Sequence, residues 1–509
     1  MATPVLTGSA PTLDTALRLA AAQFGDVPAF VAGERRLTYR EWARAAAGAA
    51  SALAAAGVRP GDVVCVMLPS SIDFAIAYLA VAWLGATVTA TDPRLGRYEL
   101  EGILGKVRPS ATVGAEGSRA AAVAGSLGGT PLTRAELAAA VDGPAAPPTG
   151  ARDPDGPAVI AWTSGTTGAP KGAWFSHRAL ESAAHQSGLL SAPYDRRLLS
   201  TPFAHVGFLA RVWDQMAWAI TSILIPQPWT APEMLALLEA ERVTVGQGVP
   251  TQWEKLLALP GLGDADLSSL RVVATGATRV PPELVRELRR RLNCPVLVRY
   301  ACSEVPIATG TAPDDPPEVA AETVGRPAPG VRARLVDDNG APVAPAAVGR
   351  LLLRSPGAMS GYWQDPKATA EAFDDDGWIH TGDLARTTAR GDLVLVGRGS
   401  EMYIRGGYNV HPLEVERALM EHPEVETAAV IGVPAPVIGE VGVAFVVLAR
   451  PDRPPAPDEL RGWCRDRLAD YKVPDHVELV ADLPRNAMSK IDKRELRAHA
   501  EPILARARA

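Results

Sequence analysis

The sequence predicts an α/β protein: a large N-terminal domain of βαβ-type subdomains, then a small mobile α+β domain. Three observations carry this. Short β-branched runs (Val63–Met67, 158–162, 271–274) alternate with helical patterns at 39–56 and 281–292, the order that builds largely parallel sheets. The run at 158–162 passes directly into a loop crowded with Gly, Ser and Thr. Beyond residue 400 a fresh pattern begins, with a helix at 413–421, strands at 427–431 and 443–448, and a helix at 457–468.

In chain order, residues 74–90 are apolar apart from a Tyr, a Gly and two Thr. They are short for a membrane span and read as a buried helix running into a buried strand. Residues 114–157, rich in Ala, Gly and Pro, read as a loose connection with one helix near 134–141. The domain boundary is expected after the strand at 393–396. This gives a large domain over 1–397, a hinge at 398–400 and a small domain over 401–509. Gly397 and Gly399 flank Arg398 there, and glycine absorbs large backbone rotations cheaply.

The bulk numbers exclude several classes. The chain has 509 residues, 47% hydrophobic and 21% charged, enough to bury large cores. With 51 basic and 57 acidic residues the formal charge is −6, so no nucleic-acid partner is expected. Cys65, Cys294, Cys302 and Cys464 lie far apart with no zinc or redox spacing, which argues for a reducing compartment. No signal peptide and no transmembrane segment are read, so the expected location is cytoplasmic.

The strongest local signal is Trp162-Thr163-Ser164-Gly165-Thr166-Thr167-Gly168-Ala169-Pro170-Lys171-Gly172. Glycines let backbone N–H groups turn toward an anion, hydroxyls donate hydrogen bonds, and the lysine adds a point charge, which suits a polyphosphate. A Walker A loop is excluded. Counting from Gly165, Pro170 stands where its second Gly belongs and Gly172 where its Ser or Thr belongs.

This loop resembles the signature of the adenylate-forming (ANL) superfamily, which holds acyl- and aryl-CoA synthetases, beetle luciferases and adenylation domains. The likeness runs from Leu37-Thr38-Tyr39-Arg40-Glu41-Trp42 to Lys490. It implies that Thr163, Ser164, Gly165, Thr166, Thr167, Gly168 and Lys171 hold the phosphates of ATP. Arg299-Tyr300-Ala301-Cys302-Ser303-Glu304 resembles the family's Y-G-x-T-E. The resemblance assigns Tyr300 to stack on adenine, Ser303 to bond phosphate and Glu304 to hold Mg²⁺. Ala301 stands for Gly and Ser303 for Thr.

Gly377-Trp378-Ile379-His380-Thr381-Gly382-Asp383 matches W-x-x-T-G-D, which makes Asp383 the acceptor for the ribose hydroxyls. Gly397-Arg398-Gly399-Ser400-Glu401 resembles the G-R-x-x-D hinge, with Arg398 on the nucleotide, Ser400 in place of Asp or Lys, and Glu401 in place of Asp. Gly406 and Gly407, in a segment typical of CoA ligases, are implied to let the pantetheine arm of CoA pass close to backbone. Pro484-Arg485-Asn486-Ala487-Met488-Ser489-Lys490 resembles the end motif, whose Lys490 neutralises charge between carboxylate and α-phosphate. Ser489 replaces its Gly.

Pro202-Phe203-Ala204-His205-Val206-Gly207 resembles the segment carrying the pocket histidine, His205. An apolar pocket around Val206, Phe208, Val249, Ala277 and Ala301 favours an aryl or alkyl acid. The resemblance thus implies an AMP-forming acid–thiol ligase that uses ATP, Mg²⁺ and CoA on a small carboxylic acid. Two alternatives stay open: transfer to an acyl carrier protein, and a non-catalytic nucleotide-binding homologue.

Overall fold

In the computed structural model, the structure describes residues 3–507 apart from 94, 96, 115–118, 128, 147–151, 164–169, 189, 278–279, 406–407, 436–437 and 487–489. The chain divides into two compact units, one of residues 1–333 and 353–379, the other of residues 334–352 and 380–509. The expected hinge, 398–400, lies within the second unit. There the strand Leu393–Arg398 passes into a 3₁₀ turn, Gly399–Glu401.

The first unit holds two sheets. In the larger, Val296–Tyr300, Val272–Gly276, Val245–Gly248, Arg196–Leu199, Thr221–Leu224 and Pro28–Ala32 run parallel, with antiparallel pieces at both edges. In the smaller, Pro157–Thr163, Thr87–Ala90, Val63–Met67, Ala111–Gly114 and Thr130–Thr133 run parallel, and Lys171–Ser176 returns antiparallel along Pro157–Thr163. The helix Tyr39–Ala55 starts on a capping box between Thr38 and Glu41. Its alanine-rich face packs on Ile72–Trp83, a helix buried along its whole length. Trp42 fixes the pair by donating Nε1–H to the Ala75 carbonyl at 3.0 Å.

Residues 74–90 are the expected helix-then-strand, inside a core. No helix among the described residues is long and apolar enough to cross a membrane. One expectation needs correction. Residues 114–157 are no loose connection: they contain the helix Arg119–Ser126, the sheet strand Thr130–Thr133 and the helix Arg134–Ala140. The strand is only half-buried, so its sequence lacks the apolar run that marks its neighbours.

The second unit carries a four-stranded sheet (Arg332–Val336, Gly349–Arg354, Ile379–Thr387, Leu393–Arg398) and a five-stranded one. The latter centres on a long hairpin of Val425–Ala435 and Gly439–Leu448. Gly432 and Gly442 lie opposite each other in that hairpin, and the buried ring of Tyr403 fills the hollow their missing side chains leave. A Cβ on either glycine would run into that ring. We predict that Gly432→Ala overpacks this core at a cost of about 1–3 kcal/mol. A thermal melt of the purified protein should show the loss, and an unchanged transition would mean that Tyr403 has another place to go.

Candidate active site

Thr163 ends one strand and Lys171 begins the next, and the two pair across the neck of a hairpin. The expected phosphate contacts at Ser164, Gly165, Thr166, Thr167 and Gly168 lie outside the described residues. Lys171 reaches over the ring of Tyr362, its Nζ 5.1 Å from the centroid. Tyr362, on the short edge strand Gly361–Tyr362, donates its hydroxyl to Glu304 Oε1 at 2.6 Å. One aromatic side chain therefore touches a phosphate-loop cation with its face and the expected metal-binding carboxylate with its hydroxyl. Burial, then the Glu304 charge, push the phenol far above its ordinary value, so it stays a donor.

Glu304 sits in a turn closed by reciprocal backbone bonds between Cys302 and Val305. Its own carbonyl accepts Met359 N–H at 2.8 Å, which locks the turn to the segment that carries Tyr362. Ser303 is half-buried in the same turn. Tyr300 is buried at the end of its strand, paired with Thr309. His205 caps the short helix Val206–Leu209, and its Nδ1 accepts Gly207 N–H at 3.1 Å. The proton of the neutral ring therefore lies on Nε2. The expected pocket walls Val206 and Phe208 are buried, and Phe208 stacks on Phe203 with centroids 3.6 Å apart.

In the second unit Asp383 and Arg398 face each other on adjacent strands, with Arg398 Nε donating to Asp383 Oδ1 at 3.0 Å. Asp383 is buried, so the contact fixes its carboxylate. Gly406 and Gly407 lie outside the described residues. Beside them Arg405 clamps Asp475 with Nε and Nη2, and Tyr408 stacks on Tyr471. Lys490 is held by its backbone: its N–H donates to Asn486 Oδ1 at 3.1 Å, and its carbonyl accepts Asn486 N–H at 2.8 Å. Three residues on, Lys493 pairs with Glu401 at 2.8 Å and Glu416 at 2.9 Å.

No group of three or more His, Cys, Asp or Glu among the described residues could hold a metal. Burial pushes the Cys65 thiol up to about 12 and the thiols of Cys294 and Cys464 to about 11, which leaves them poor nucleophiles. Sequence reasoning missed Tyr362 and Lys493. Only the crossing of distant segments reveals the first, and the second reads as one more basic residue in a charged tail.

Residues 17–363 match the family model described as AMP-binding enzyme, and residues 414–490 match the AMP-binding enzyme C-terminal domain. The chain belongs to the AMP-binding enzyme family. Within it the chain falls in the acyl-CoA synthetase branch, as an AMP-forming acid–thiol ligase. It is 34% identical to the 3-[(3aS,4S,7aS)-7a-methyl-1,5-dioxo-octahydro-1H-inden-4-yl]propanoyl:CoA ligase of Rhodococcus jostii (strain RHA1), over 97% of this chain and 99% of that one. It is 37% identical to a feruloyl-CoA synthase of Amycolatopsis sp, over 91% and 94%. Among solved structures, ATP-bound MatB from Rhodopseudomonas palustris aligns with a TM-score of 0.89 at 29% identity, over 96% of this chain and 99% of that one.

Removing the Tyr362 hydroxyl should unfasten Glu304 and leave the ring under Lys171. We expect Tyr362→Phe to raise the ATP concentration for half-maximal pyrophosphate release about 10–100-fold, the worth of one hydrogen bond to a charged group. An unchanged value would detach Tyr362 from nucleotide handling.

Proposed function

We propose that this ligase joins a small carboxylic acid to CoA in two steps, with its parts assigned as follows. The loop from Thr163 to Lys171 holds the phosphates of ATP, Ser303 adds a hydroxyl, Tyr300 lies against adenine, and Asp383 and Arg398 take the ribose side of the nucleotide. An oxygen of the substrate carboxylate attacks the α-phosphorus, the bond to the β-phosphate oxygen breaks, and pyrophosphate leaves. Lys490 neutralises charge shared by the carboxylate and the α-phosphate. His205 borders the acid, with its Nε2–H as the donor.

The thiol sulfur of CoA then attacks the acyl carbon, the bond to the phosphate oxygen breaks, and AMP leaves with the electron pair. For this step residues 401–509 turn about 398–400, withdrawing Lys490 and presenting Gly406 and Gly407 to the pantetheine arm. Most of the rate acceleration is positioning and charge stabilisation.

Mg²⁺ fits the donor set. Glu304 Oε1 is taken by Tyr362, which leaves Oε2, and a lone carboxylate beside substrate phosphates and water is a common way to bind this ion. Bound there, it would neutralise charge on the phosphates.

The observation that carries this reading is the convergence of Thr163, Lys171 and Glu304, with Lys171 on the ring face of Tyr362 and Glu304 on its hydroxyl. Two segments far apart in sequence thus supply a cation, a hydroxyl and a carboxylate to one place, and Tyr362 from a third joins them. The test divides the two steps. Lys490→Ala should lower acid-dependent pyrophosphate exchange by roughly 10²–10³-fold, as loss of a preorganised charge does. Thioester formation from a supplied acyl-adenylate and CoA should survive. Exchange retained in the variant would remove Lys490 from the first step.

A further inference from the structure

In the second unit, three residues in series tie the segment before Gly406 to the central hairpin. The first is Gly442, on the long strand Gly439–Leu448. Asp475 donates its N–H to the Gly442 carbonyl at 2.8 Å, and its Oδ2 accepts the Gly442 N–H at 3.0 Å. Backbone and side chain of Asp475 are thus both fastened to one residue of the hairpin. The carboxylate then meets Arg405, whose Nη2 donates to Oδ1 at 2.6 Å and whose Nε donates to Oδ2 at 2.9 Å. Two bonds from a planar fork set direction as well as distance, which a single charge contact does not. The two side chains are only 23% and 19% exposed, so water competes less for this pair than for an ion pair on the surface.

Arg405 is the last residue before the glycine pair. It ends the strand Tyr403–Arg405, Tyr408 begins the strand Tyr408–Val410, and the two are register partners. Gly406 and Gly407 are the residues between them in sequence. Register partners share a face of the ribbon, and here both side chains go to one segment. Arg405 reaches Asp475, and Tyr408 stacks on Tyr471 with centroids 4.6 Å apart. Residues 471–475 therefore hold the chain on each side of the glycines. Glycine has no side chain to anchor itself and loses more freedom on ordering than any other residue, so the anchor has to come from neighbours. A ring stack tolerates sliding, whereas the fork does not. The tether of Lys490 is a different one, through Asn486.

We propose that Arg405, clamped by Asp475, is a positioning residue for thioester formation alone, a role that rests on the CoA reading above. It sets the backbone past which the pantetheine arm of CoA runs, and it takes no part in making the acyl-adenylate. The thiol sulfur must arrive in line with the acyl carbon, and a guide displaced by about 1 Å is enough to spoil that approach. The first step depends on Lys490, whose tether shares no residue with this clamp.

The experiment uses the full-length enzyme with ATP and Mg²⁺. Ferulic, benzoic, hexanoic and decanoic acids are screened by pyrophosphate release, and the fastest is carried forward. Two rates are then read: acid-dependent pyrophosphate exchange, and thioester formation from the preformed acyl-adenylate and CoA. The variants are Arg405→Met, Arg405→Lys, Asp475→Asn and the double variant of Met and Asn. Exchange should stay at the wild-type rate in all four. Arg405→Met should lower kcat/KM for CoA about 10–10²-fold, as a small misplacement does. Asp475→Asn should cost about as much, and the double variant no more than either, because the two residues act as one unit. Arg405→Lys, which keeps the charge and loses the fork, should fall between the wild type and Arg405→Met. A Met variant that forms thioester at the wild-type rate overturns the proposal. So does one that loses exchange and thioester formation in step, which marks a general structural role. Single losses that add in the double variant overturn the clamp as their common cause. A wild type that releases pyrophosphate but makes no thioester with CoA overturns instead the CoA reading, and this role with it.

Discussion

The larger sheet is organised around the carboxylate of Asp214. Four donors from three places close on it: Ser187 and Ser191 after the helix His177–Gln186, Arg197 on a central strand, and Arg211 at the head of the helix Val212–Ala217. Burial alone would push this acid up, but the two arginines outweigh burial and hold it well below the usual carboxylate range. A depressed pKa contributes stability that is fully present above the unfolded-state value and is lost only as pH falls through the folded-state value. The network is thus intact at neutral pH. Stripping out the carboxylate would leave buried cations unpaired, at a cost of about 3–5 kcal/mol. The helices that Asp214 fastens are those beside His205 and the acid pocket, so the chemistry inherits its geometry from this one ion.

The alternation of strands and helices is readable along most of the chain, because fully buried parallel strands must be continuous apolar runs and Val63–Met67 is one. It fails at Thr130–Thr133, a half-buried edge strand with no apolar run to betray it. Candidate site residues are legible where a motif is local. Thr163 and Lys171, Asp383 and Arg398, and the turn at Glu304 all stand in recognisable company. Tyr362 was not, because what it does depends on a pairing of Gly361–Tyr362 with Lys171–Ser176 across nearly two hundred residues.

The two compact units divide the chemistry. The first contains the phosphate loop, Tyr300, Glu304 and the acid pocket. The second contains Asp383, Arg398 and Lys490. Within each, several residues of the proposed site are held by neighbours. Glu304 is fixed by Tyr362 and Met359, Asp383 by Arg398, and the backbone of Lys490 by Asn486. Such preorganisation lets binding energy act on the reaction and not on ordering the site.

Lys493 gives the second unit a mechanical property. Its ammonium joins Glu401, which immediately follows residue 400, to Glu416 on the helix Pro412–Met420, and Glu416 in turn accepts the Val430 N–H. Lys493 also opens the helix Lys493–Ala507, three residues after Lys490. The neighbour of residue 400, the start of the last helix and the hairpin core are therefore held together by one half-buried cation. Lys493 is thus a pin driven through three elements of the second unit.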